Sequence, residues 1–195
     1  EMTSSLVGSE MCIRDRDRID SPAPDDITAI TQTDSTNFFI GTSNGLLQTI
    51  EKEGVLETVA GTYTDSIRIP VSELYFHEDS KQLFIGTFKE GIIAYGMNTT
   101  STIIADGPLQ NVAIKRITPF GKRQLLVATG GRGVYQIDVD SLSARPYITA
   151  DYSNYNGMNG NNINDIYVDG DGRIWMANYP TGITIPVSYT HLRAH

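Results

Sequence analysis

One cysteine and one tryptophan occur in 195 residues. With Cys12 alone, no internal disulfide can form. No apolar run approaches the roughly 20 residues that span a bilayer, and the opening residues lack the apolar segment of a signal peptide. Basic residues are scarce, 15 against 23 acidic, for a net charge of −8. A nucleic-acid binder needs a basic face, so that class is excluded for this segment. Acidity also disfavours contact with anionic membranes. Amphipathic helical windows are missing, as is a G-x-S-x-G nucleophile elbow. What remains is 39% hydrophobic and 19% charged, with 18 glycines and 10 tyrosines. That composition describes a globular chain inclined to β-structure.

The two ends do not share the pattern of the middle. Residues 4–16 (SSLVGSEMCIRDR) and 187–195 (VSYTHLRAH) resemble strings found at the ends of unrelated metagenomic gene predictions, where adapter sequence has been translated. The expectation is a non-native or disordered tail over 1–18 and another over 187–195. Setting them aside removes Cys12, His191 and His195 from the chemistry, leaves His77, and does not alter the net charge. With the true N-terminus expected to be missing, the lack of a signal peptide carries no meaning.

The middle, 19–186, repeats itself. Units near 27–60, 71–105, 114–149 and 163–186 each run apolar strand, polar turn, apolar strand, short loop, glycine, third strand. The second strands end at Thr42, Thr87, Thr129 and Asn178, spaced by 45, 42 and 49 residues. A weaker outer strand is expected at Val55–Ala60, near Thr102–Ala105 and at Arg145–Thr149, and the fourth unit stops before its own. Four short strands per repeat of about 40–50 residues are the pattern of a β-propeller. The fold class expected is all-β: an unclosed propeller fragment of about three and a half four-stranded blades.

The fourth unit is the most specific. INDIYVDGDGRIWMANYPTGITI resembles the two-component regulator propeller repeat at Ile163, Ile166, Asp169, Gly172, Ile174, Trp175, Ala177, Asn178 and Gly182. The other units match loosely, with Phe39, Phe84 and Leu126 at the tryptophan position. The resemblance implies the periplasmic sensor region of a hybrid two-component histidine kinase, anchored to the membrane only through parts outside this segment. It also implies an oligosaccharide or another small ligand, the remaining blades of a parent propeller as partners, and a homodimeric sensor. Two other readings stay open: a scaffold propeller of a secretion or surface-assembly system, and a propeller lyase or glycosidase.

No catalytic residues, metal ligands or cofactors are expected. Asp169-Gly170-Asp171-Gly172 fails as a calcium loop, because the twelfth position is Pro180 where an EF-hand needs glutamate. A hairpin turn accounts for it. Gly130–Gly133 leads into a strand, so it lacks the helix N-terminus of a phosphate loop. Trp175 is expected to pack between blades, and His77 to sit at the end of a strand beside a turn, followed by Glu78 and Asp79 as solvated turn residues and with no nucleophile assigned to it. Ligand contacts are expected on one face, where loops between second and third strands meet loops entering each blade. Lys89, Arg132 and Tyr179 lie in the first set, and Tyr152, Tyr155 and Asn161 in the second. Tyrosine rings and asparagine amides suit sugar rings and hydroxyls.

Overall fold

The computed structural model describes residues 26–53, 55–59, 67–96, 102–104, 109–150, 158 and 160–186. Four antiparallel sheets follow one another along the chain. The first holds β1 (Ile27–Gln32), β2 (Asn37–Thr42), β3 (Gly45–Lys52) and β4 (Val55–Thr58). The second holds β5 (Val71–His77), β6 (Gln82–Thr87), β7 (Ile92–Gly96) and β8 (Thr102–Ile104). The third holds β9 (Ile114–Pro119), β10 (Gln124–Thr129), β11 (Val134–Asp138) and β12 (Ala144–Ile148). The fourth holds β13 (Ile163–Val168), β14 (Ile174–Asn178) and β15 (Gly182–Thr184). Strand order within each sheet is sequential, so the first three sheets are four-stranded meanders and the fourth is a three-stranded one among the described residues. This is the expected architecture of propeller blades. Outer strands end one or two residues short of the expected limits at β4, β8 and β12.

The sequence repeat has a physical cause at each turn between second and third strands. Thr42, Thr87 and Thr129 are all buried. Each turns its hydroxyl to the carbonyl of the glycine that opens the next strand, donating to Gly45, Gly91 and Gly133 at 3.0, 2.9 and 2.7 Å. Those glycines have positive φ, 151°, 73° and 78°. A buried turn needs its polar groups paired internally, and a threonine hydroxyl does so without adding charge.

The blades are joined by a second repeated device. The residue before each anchor is small: Gly41, Gly86 and Ala128. Onto it packs the first residue of the following blade, Val71, Ile114 or Ile163, each fully buried. A Cβ on Gly86 would stand 2.7 Å from Ile114 Cγ2, and one on Gly41 2.5 Å from Val71 Cγ1. Three hydrophobic clusters result, one per junction. Phe39 faces the second blade, Phe84 the third and Leu126 the fourth. This nearest-neighbour burial is the main source of cohesion.

The same positions in the fourth blade lack a cover among the described residues. Ala177, the fourth small residue, is exposed, as is Ile183 at 74%. Trp175 is half-buried, whereas Phe39, Phe84 and Leu126 are 1% exposed or less. Trp175 thus lies on the face of the fourth blade that has no cover among the described residues. On the opposite side, Ile27 and Ile30 are 65% and 60% exposed, while their counterparts Val71 and Leu74 are buried.

His77 closes β5 beside a turn, as expected, and is buried. Nδ1 pairs with Ser80 Oγ at 2.9 Å and Nε2 with the Lys122 carbonyl at 3.0 Å. Since Lys122 offers a carbonyl there, Nε2 carries the proton and Nδ1 accepts. The ring thus ties the β5–β6 turn to the β9–β10 turn of the following blade, and both nitrogens are occupied.

Candidate functional site

The loop sets expected to share a face do so, through backbone bonds. Leu46 N donates to the Ile67 carbonyl, and Tyr179 N to the Asn162 carbonyl. Gly131 N and Gly133 N both donate to the Asn161 carbonyl, at 3.1 and 2.7 Å. An isolated bridge joins Glu90 to Val112. The first three loops between second and third strands are thereby stitched to the segment leading into the next blade, and the fourth to the segment leading into its own.

The expected ligand residues have different standing on that face. Tyr179 is 62% exposed, following directly on the buried Asn178. Its peptide bond to Pro180 is cis. Lys89 and Arg132 are exposed on the equivalent loops of the second and third blades. Asn161 is engaged in structure: besides its carbonyl, its Oδ1 accepts the Ala150 N–H at 2.6 Å. Tyr152 and Tyr155 lie outside the described residues.

The sequence reading missed a second concave surface. The first strands of all four blades converge on one cavity of about 630 Å³, with Thr28, Glu73, Tyr75, Arg116, Thr118 and Tyr167 among its lining. Each first strand has a β-bulge at the same place, between Ile27 and Ala29, Val71 and Glu73, Ile114 and Arg116, and Ile163 and Asp165. Bulges re-aim the residues that follow them. Here they put Ala29, Glu73, Arg116 and Asp165 at one level. The Arg116 guanidinium lies 3.4 Å from Glu73 Oε1 and 3.4 Å from Asp165 Oδ1. Burial pushes the Glu73 carboxyl above its usual range, against the pull of Arg116. Counting two residues from the start of each first strand would have placed these groups in one column.

The fourth blade's first hairpin carries a polar network centred on Asp169. Asp169 Oδ1 accepts from the backbone of Asp171 and Arg173, and Oδ2 from Arg173 Nε and Trp175 Nε1, at 2.8–3.0 Å. Gly172 supplies the positive φ, 77°, that the turn needs. The Asp-to-Trp spacing of the repeat is thus a carboxylate holding an indole across a turn. These bonds, led by the one from Trp175, hold the Asp169 carboxyl down at about 2, from an ordinary 3.8. A depressed pKa in the folded state means the contribution is full above the unfolded value and is lost as pH falls toward 2. Asp169→Asn is therefore expected to lower the melting temperature at pH 7, with the gap to the parent chain closing between pH 4 and pH 2. A gap that stays constant over that window would show that the carboxylate's charge is not what holds the hairpin. Among the described residues, no group of three or more His, Cys, Asp or Glu side chains could hold a metal ion.

Residues 157–179 match the family model of the two component regulator propeller. No curated protein matches the chain. Among solved structures, it is similar to the extracellular domain assigned to the hybrid two component system BT4673 of B. thetaiotaomicron. The TM-score is 0.64 at 24% identity, over 82% of this chain and 21% of that one. A second structure of BT4673, assigned to a one component system, gives a TM-score of 0.64 at 25% identity, with 82% and 21% covered. The extracellular domain assigned to the hybrid system BT3049 of the same organism gives 0.62 at 18% identity, covering 82% and 23%. The chain therefore spans about a fifth of the length of these neighbours. Residues 157–179 carry a two component regulator propeller repeat, set within four successive blades of the fold those extracellular domains share.

Proposed function

We propose that this chain is part of the ligand-sensing region of an extracytoplasmic, periplasm-facing sensor of a hybrid two-component system, and that its ligand is an oligosaccharide. The observation that carries the reading is the match of residues 157–179 to the two component regulator propeller, within a fold like that of extracellular sensor domains. The segment binds and does no chemistry of its own. Binding acts through differential affinity for two states of the sensor, and a homodimer of the whole protein passes the difference on. The remaining blades of the longer protein are the partners of the exposed faces at Ile27 and Ile30 and at Ala177 and Ile183.

The test is calorimetry of the intact ectodomain that contains this chain against a panel of plant and host oligosaccharides. Saturable binding of at least one member, lost when it is shortened to a monosaccharide, is the expected result. Failure of every glycan, together with tight capture of a secretion or surface-assembly component, would overturn the proposal in favour of a scaffold.

A further inference from the structure

We infer that the turn between the second and third strands of the third blade, Gly130–Gly133, seats an oxyanion of a ligand, a carboxylate, sulfate or phosphate, beside Lys115 and Arg132. Lys115 is the extra residue of the β9 bulge, since Ile114 pairs with Thr129 and Arg116 with Ala128. The other three blades have neutral residues there, Thr28, Ser72 and Asn164. Thr28 is short and gives its hydroxyl to the Val71 carbonyl at 2.7 Å. A lysine stem is longer, and here it reaches the turn.

Gly130 makes room for that stem. A Cβ at this position would stand 3.3 Å from Lys115 Cε and 3.4 Å from Ala113 Cβ. Gly130 is not among the glycines with positive φ, so the space taken by the lysine, not backbone conformation, accounts for the missing side chain. The next position is open, since a Cβ on Gly131 would meet nothing within 4 Å. Arg132 follows, exposed on the same turn. The surface of the turn is thus bare backbone, with a lysine stem against it and an arginine within it.

The lysine charge is not used inside the fold. Lys115 is exposed and has no ion pair or hydrogen bond among the described residues. The carboxylates at the next level of the channel wall, Glu73 and Asp165, lie on Arg116 instead. The turn's own N–H groups are all taken. Gly130 donates to the Ala113 carbonyl, Gly131 and Gly133 to that of Asn161, and Arg132 to Thr129 Oγ1. No backbone nest is open to an anion, and recognition falls to the side chains. An ammonium is a point charge and a guanidinium a fork of donors, which together suit the several oxygens of an oxyanion. The seat does not depend on the ligand being a sugar.

The experiment is calorimetry on the intact ectodomain at low ionic strength, with sodium sulfate, sodium phosphate and sodium malonate as probes and sodium chloride as the control. Saturable binding of at least one oxyanion is expected, and the probe that binds most tightly tells a sulfate, a phosphate and a carboxylate ligand apart. Lys115→Gln should weaken it about tenfold, and Gly130→Ala, which keeps both charges but crowds the stem, about threefold. Lys122→Gln, at the opposite end of β10, should leave the Kd unchanged. Should Gly130→Ala fail to fold, Lys115→Arg, which should keep the binding, takes its place. An unchanged Kd in Lys115→Gln or Gly130→Ala, a loss of the same size in Lys122→Gln, or no saturable binding of any probe overturns the seat. The oligosaccharide panel tests the sensor reading separately, and that reading stands in each of these cases.

Discussion

Gly91→Ala is expected to destabilise the chain by about 3 kcal/mol, while Gly172→Ala costs about 1 kcal/mol. The two positions form a matched pair. Their φ values are 73° and 77°, so the strain of placing an alanine in the left-handed region is the same in both. Their surroundings differ. A Cβ at Gly172 meets nothing within 4 Å. One at Gly91 would stand 2.7 Å from the Leu109 carbonyl oxygen, which is backbone and cannot rotate away. Relief requires moving the segment that leads into the third blade away from the turn. That movement disturbs the Gly91 carbonyl, which accepts from both the Thr87 N–H and hydroxyl. Denaturant unfolding of the two variants reads the difference directly. Equal losses would mean that the interblade approach is loose and that only backbone strain matters at these turns.

Ile114→Ala is expected to cost about 4 kcal/mol, near the upper part of the range for deleting buried aliphatic atoms. Ile114 is fully buried in the cluster between the second and third blades, with its Cγ2 against the backbone of Gly86. The site is rigid on both sides, since Gly86 is within β6 and Ile114 opens β9, so collapse around a cavity is limited. Gly86→Ala alone should also destabilise, through overpacking against that methyl. Combining Gly86→Ala with Ile114→Ala, which removes the Cγ2 that the new methyl would meet, should cost less than the sum of the two. A coupling of that sign in a double-mutant cycle is the diagnostic. The control is Ala177→Val. Ala177 holds the Gly86 position in the fourth blade but is exposed, so its change should lie within about 0.5 kcal/mol. Strict additivity between Gly86 and Ile114 would separate the small residue from the packing role assigned to it.

Much of this was legible in the sequence, and the reason is particular. Thr42, Thr87 and Thr129 stand out because each closes the same buried turn with the same bond, so chemistry and period coincide. The apolar second strands were equally plain, since burial on both faces removes the alternation that half-buried strands show. Trp175 was read to the correct strand. Whether a face is covered depends on the neighbouring blade, and strand periodicity carries no information about that. Its bond to Asp169 crosses a turn of six residues, and neither residue type alone announces it. His77 was placed correctly at the end of its strand, but the cover that the next blade's turn gives it was not visible, because the Lys122 carbonyl lies 45 residues away. The row Glu73, Arg116 and Asp165 was invisible for another reason. Its members are far apart in the chain and become neighbours only once the blades are set side by side.

The junction between blades has a consequence for how the molecule comes apart. Adjacent sheets are cemented to each other by one small-to-large contact and one stitched loop. The assembly then behaves as a row of coupled units, whose total stability is a sum of blade terms and junction terms. The second and third blades have two junctions each among the described residues; the first and fourth have one. Cohesion is graded along the row, and a weakened junction divides it at that point into two shorter stacks.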